Sequence, residues 1–131
     1  MDVAQVCEGD LTELLSGERA YLQSYTVVRS CEGLNTSRRK DYDYKNLAAR
    51  FSSRYMEPFL IRVPPKEREQ VTCISHKGQE FSYMLEGRLA LHLGGKIEIL
   101  EPGDSVYFSS SIPHGLRGLD DQDAVFVSVI I

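Results

Sequence analysis

HKGQEFSYMLEG, residues 76–87, sets a histidine and a glutamate on either side of a glycine and then runs into an apolar stretch that stops at Glu86-Gly87. His76 and Glu80 are four apart, the spacing that shares one face of a helix. Gly78 lies between them, and β-rich segments flank them on both sides, so a helix is disfavoured. A hairpin with the loop Lys77-Gly78-Gln79 fits better, Gly78 supplying left-handed backbone. Residues flanking such a loop face each other across the ladder, with Cβ atoms about 5 Å apart. Two readings follow: a hydrogen-bonded cross-strand pair, or two ligands converging on one cation at about 2 Å each. A metal site needs a third donor. His114, in Ser111-Ile112-Pro113-His114, is the candidate, and Pro113 fixes the backbone before it.

Outward from this stretch the signal is strand after short strand. Tyr25–Arg29, Phe59–Val63, Val71–Ser75, Phe81–Leu85, Arg88–Leu93, Lys96–Leu100, Val106–Phe108 and Ala124–Ile131 all read as β. Gly94-Gly95 is a two-residue hairpin turn of the primed type, and Pro102-Gly103-Asp104 is another turn. Many short strands with regular turn signals indicate a sandwich or barrel. In Arg88–Leu93 the leucines share one face, which leaves His92 beside Arg88 and Ala90 as a surface histidine. The last strand, VFVSVII, is too apolar to stay exposed. It is expected at the centre of a sheet or in a dimer interface. Residues 10–18, DLTELLSGE, form a short helix, with Asp10 as N-cap, Glu13 at the third helical position and Gly17 as the stop. This gives a helical arm over 1–24 and one β-barrel over 25–131.

The 131 residues suit one domain, and 42% hydrophobic with 26% charged residues is an ordinary globular balance. A net charge of −4 argues against a nucleic-acid surface. The basic run Ser37-Arg38-Arg39-Lys40 is followed at once by Asp41 and Asp43 and reads as a solvated loop. Three cysteines, far apart and without C-x-x-C, imply free thiols in a reducing cytoplasm. Cys73 reads as a small buried hydrophobe. The N-terminus lacks signal-peptide features, and no apolar run reaches membrane length.

HKGQEF, YMLEGRL, EPGDSVYF and SSSIPH resemble the cupin superfamily, a small jelly-roll barrel (double-stranded β-helix). The family's first motif is Gly-x5-His-x-His-x(3–4)-Glu-x6-Gly, and its second is Gly-x5-Pro-x-Gly-x2-His-x3-Asn. On that resemblance His76 is the second motif histidine, Glu80 the glutamate, Gly87 the closing glycine, Gly103 the leading glycine of the second motif and His114 its histidine. The first motif histidine falls on Ile74, which cannot ligate. Ser109, Ser111 and Gly118 replace the proline, glycine and asparagine of the second motif. The resemblance thus implies a reduced set of two histidines and one carboxylate, suited to Fe(II) and also to Zn, Mn or Ni. Some cupin oxygenases work with such a set, and other cupins have lost the metal and bind ligands in a dry barrel. The inward strand faces imply a ligand pocket at Ser82, Met84, Ile74 and Tyr107.

DLTELLSGE, SYTVVRS and MEPFLIRVPP further resemble the cupin half of helix-turn-helix–cupin regulators, without the DNA-binding helices. Two expectations follow. One is a sensing module that binds a small molecule, as a homodimer and without nucleic-acid contact of its own. The other is a metal-dependent oxygenase, isomerase or lyase acting on a small polar substrate. No second acid or base stands out in the sequence, which favours the first.

Overall fold

A computed structural model describes residues 24–30, 34–35 and 42–131. The strands are β1 (Leu34–Asn35), β2 (Asp43–Asn46), β3 (Glu57–Val63), β4 (Gln79–Glu86), β5 (Leu89–Leu93), β6 (Lys96–Leu100), β7 (Ser105–Ser109), β8 (His114–Gly118) and β9 (Ala124–Ile130). They form two antiparallel sheets, ordered β1-β2-β3-β9-β4-β7 and β6-β5-β8. This is the expected all-β jelly roll. The expected helix at 10–18, the basic run at 37–40, Cys7 and Cys31 lie outside the described residues.

Period-two alternation sorts the side chains of the larger sheet into rows that cross it. Ile61, Phe126 and Met84 are register partners in one row. Phe59, Ser128, Ser82 and Val106 make the next, and Ile130, Glu80 and Phe108 the one after. The smaller sheet answers with Leu89, Leu91, Leu100 and Leu116, and the two inner faces share one hydrophobic core. The apolar β9 is the central strand, paired with β3 on one side and β4 on the other. That placement satisfies both of its edges, which removes the hazard its composition carries.

The Gly94-Gly95 turn is as expected. Both glycines have positive φ, +55° and +96°, and Leu93 pairs with Lys96. Other expectations are corrected. Tyr25–Arg29 forms no strand. Val71–Ser75 is not a strand either: only Ile74 makes a bridge, to His114. The segment from Pro64 to His76 runs as a strap along β8, tied by Gly118 N to Pro64 O at 3.0 Å and by Ile74 to His114 at 2.9 Å in both directions. It passes so close over Gly115 that a Cβ there would lie 2.6 Å from Val71 Cγ1. Cys73 rides on this strap and is exposed rather than buried. The strands β2 and β8 escaped the sequence reading, because DYKN and HGLRG carry too little apolar alternation.

His92 is half-buried rather than a surface residue, and Ala90 beside it on the same face is fully buried. It pairs across the ladder with Gly115, the residue that the strap covers. Its Nε2 is buried and has no hydrogen-bond partner among the described residues. Burial, then Arg117 and Arg68, hold its pKa below the ordinary 6.5. The fold therefore favours neutral His92, while the unfolded chain protonates it as pH drops below about 6.5. The resulting stability is complete above that pH and is lost on acidification. Exchanging His92 for Leu should flatten the fall in melting temperature between pH 7 and pH 5. An unchanged slope would show that other groups carry it.

Candidate metal centre

The three candidate donors come from three different elements. Glu80 is the second residue of β4, and its carboxylate enters the barrel from the larger sheet. His114 opens β8 on the smaller sheet. His76 ends the strap, and its backbone N donates to Ser110 O at 3.0 Å. The expected hairpin across Lys77-Gly78-Gln79 is absent: Gln79 already belongs to β4, and the backbone of His76 pairs with the loop between β7 and β8 instead. Gly78, at φ +105°, turns the chain sharply enough to bring the two side chains together all the same.

The convergence is tight. His76 Nε2 lies 3.0 Å from Glu80 Oε2, and His114 Nε2 lies 3.1 Å from the same oxygen. Potential ligand atoms of all three residues lie within 4.8 Å of one another. Ser110, fully buried, donates its hydroxyl to Glu80 Oε2 at 2.9 Å. The imidazole of His114 packs edge-on against Phe108 and His76, with centroids 5.1 and 5.3 Å away. Burial raises the Glu80 pKa, but hydrogen bonding and charge from His114, the Ser110 hydroxyl and His76 outweigh it. The net result lies below the ordinary 4.5.

Proton bookkeeping makes the site more specific. His76 Nδ1 lies 3.0 Å from Lys77 O, and His114 Nδ1 lies 2.7 Å from Ile112 O. A carbonyl oxygen only accepts, so each Nδ1 carries a proton and donates. In a neutral ring each Nε2 would then turn a lone pair toward a carboxylate oxygen that also only accepts. Two such contacts need either two imidazolium ions against one carboxylate, or one cation among the three groups. A backbone carbonyl holding Nδ1–H is also the usual way a ligating histidine is oriented. The residues therefore fit a divalent metal. They leave coordination positions open, as facial sets of two histidines and one carboxylate do.

These residues line a cavity of about 130 Å³ inside the barrel. Of the expected pocket residues, Ser82 lines it and is buried, its hydroxyl 3.3 Å from that of Ser128. Ile74 lines it and remains 41% exposed. Met84 is fully buried in the core but is not among the lining residues. Tyr107 is 62% exposed and faces outward, where its hydroxyl contacts Gln79 Oε1. Val106 and Phe108 line the cavity in its place, because β7 turns the opposite parity inward. Ser110 escaped the sequence reading. Its only signal was a serine run just before Pro113-His114, which reads equally as a polar loop.

A family model described as cupin domain matches residues 59–130. The hydroxypropylphosphonic acid epoxidase from S. wedmorenis superposes with a TM-score of 0.69 at 21% identity, covering 82% of this chain and 59% of the other. FeII HppE gives 0.71 at 20% identity, covering 82% and 60%. An RmlC-like cupin from Shewanella frigidimarina gives 0.65 at 16%, covering 82% and 91%. The chain thus spans about three-fifths of the epoxidase structures it matches. At these identities the likeness is one of fold. No curated protein matches the sequence. Among the described residues no helix is long and apolar enough to cross a membrane.

Proposed function

The chain belongs to the cupin-domain family, and from that premise we propose that it holds one divalent transition metal on His76, Glu80 and His114 and binds a small molecule against it as a sensing module. The observation that carries the metal is the shared oxygen. Two imidazoles whose Nδ1 protons are committed to carbonyls both aim Nε2 at Glu80 Oε2. One cation satisfies all three groups at once. Nitrogen and carboxylate donors together suit Fe(II), Zn, Mn or Ni. Once bound, such an ion offers Lewis acidity and open positions for a chelating ligand.

A binding role is favoured over chemistry because, among the described residues lining the cavity, the ionisable groups beyond the triad are only the hydroxyls of Tyr42 and Tyr44, and that of Tyr42 is bonded to the backbone of Leu116. The sequence resemblance to the cupin half of helix-turn-helix regulators points the same way. The second reading is a metal-dependent oxygenase. It draws support from the facial composition of the donor set, which suits Fe(II) oxygen chemistry.

Elemental analysis of protein purified without a metal-affinity tag tests the proposal. Close to one transition metal per chain is expected, and none in a His76→Ala, Glu80→Ala double variant. Protein that takes up no Fe(II), Mn or Zn on titration would overturn the metal site. Ligand-dependent oxygen consumption by the iron-loaded protein would shift the reading to the enzyme.

A further inference from the structure

The cavity below the triad has a chemistry of its own. Among the described residues its lining contains no lysine, arginine or aspartate. It is built from aliphatic and aromatic side chains such as Ile61, Leu91, Leu100 and Phe126. The one polar pair deeper than the triad is Ser82 and Ser128, which bond to each other. They sit two residues along β4 and β9 from Glu80 and Ile130, about 7 Å further into the barrel. Tyr42, also in the lining, spends its hydroxyl on the backbone of Leu116, donating to its O at 3.0 Å and accepting from its N at 2.9 Å. Among the described residues, nothing charged lines the cavity beyond the metal position.

Size adds a second limit. A cavity of about 130 Å³ is close to the roughly 150 Å³ that holds a benzene ring when lined by apolar side chains. We infer that the ligand is a small monoanion with a chelating head and an uncharged branched body of about four carbons: a 2-oxo or 2-hydroxy monocarboxylate. This rests on the metal reading above for the head group, and on the cavity alone for the body. The head supplies two oxygens to open coordination positions. The body fills the space between Leu91, Phe126 and the serine pair. A second charged group is excluded, because a buried carboxylate there would have no cation to meet it.

The test has two limbs. In the first, the Co(II)-loaded protein is titrated with pyruvate, 4-methyl-2-oxopentanoate and 2-oxoglutarate, and the visible Co(II) spectrum is followed. Each buried carbon strengthens binding about fourfold. The three extra carbons of 4-methyl-2-oxopentanoate should therefore tighten it about sixtyfold over pyruvate. The dianion 2-oxoglutarate should bind at least tenfold more weakly than 4-methyl-2-oxopentanoate. Equal affinities, or a preference for the dianion, would overturn the inference and leave the metal site standing. In the second limb, metal-free protein is titrated with benzene and followed by methyl NMR. Saturable shifts at Leu91 and Leu100 are expected. Their absence would overturn the apolar cavity. If Co(II) itself fails to bind, the metal reading fails, and the second limb alone decides the body of the ligand.

Discussion

Glu80→Ala should leave the purified protein without transition metal and weaken metal uptake at least about a hundredfold, beyond the 10–100-fold typical of losing a partner that only orients a ligand. Glu80 is both a candidate donor and the group that gathers the other two. His76, His114 and the buried Ser110 hydroxyl all meet its Oε2. Removing the carboxylate leaves two imidazoles 5.3 Å apart with no negative charge between them. Metal titration followed by calorimetry reads this directly, and uptake within tenfold of wild type would remove Glu80 from the ligand set. In metal-free protein the same residue has a pH signature. Its folded pKa lies below the ordinary 4.5. The stability it contributes is therefore complete above about pH 4.5 and is lost as pH falls through the folded value. Glu80→Gln should be less stable than wild type at pH 7 and converge with it in acid. A constant gap across that range would show that the carboxylate's charge is not what stabilises the fold.

Gly78→Ala should destabilise the protein by about 4 kcal/mol and weaken metal binding about tenfold or more. The φ of Gly78, +105°, lies where a side chain is strained by about 1–3 kcal/mol. An added Cβ would stand 1.8 Å from the carbonyl oxygen of Ile131, which no flexible atom can yield. That carbonyl accepts from Gln79 N at 3.2 Å, and Ile131 N donates back to Gln79 O at 3.0 Å. Pushing the strands apart costs both bonds, about 1 kcal/mol each. The carbonyl of Gly78 also takes the Ser110 amide at 2.9 Å. The strain thus reaches the residue that orients Glu80. Denaturant unfolding measures the stability, and metal titration of the folded fraction measures the coupling. A variant with wild-type stability would show that the turn relaxes without cost.

The convergence of the three candidate donors was legible in the sequence, and its geometry was not. His76, Glu80 and His114 were readable because glycine, proline and alternating strands bracket them at motif spacing. The expected hairpin between the first two is absent. Gly78 does break the backbone direction, but the partner of the preceding segment is the distant Ser110 and not Gln79. Local pattern cannot distinguish a turn that pairs with itself from one that pairs elsewhere. Cys73 and His92 failed for a related reason. Each lies beside Gly115, Cys73 on the strap that runs along β8 and His92 on β5 across the ladder, and the close pass of the strap depends on that glycine, whose role shows only in three dimensions. Tyr107 was misplaced by parity alone: one residue of register moves a side chain from cavity to solvent. Core strands survived such errors because apolar alternation is repeated along their length.

The strand order carries one more consequence, for the order in which the site is made. Strands β3 and β4 are not neighbours; β9 fills the gap between them. All three candidate donors precede β9 in the chain, yet the strand carrying Glu80 gains its partner on that side only when β9 arrives. During synthesis the ligand atoms emerge first and wait, with a slot in the sheet still open, for a strand that must enter between two already made. The contacts that seat it span 39 to 50 residues on the β4 side and 61 to 73 on the β3 side. Closing loops of that length before any contact repays the lost entropy should make this insertion slow. Metal capture should therefore track the late phase of refolding and be absent from earlier collapsed states.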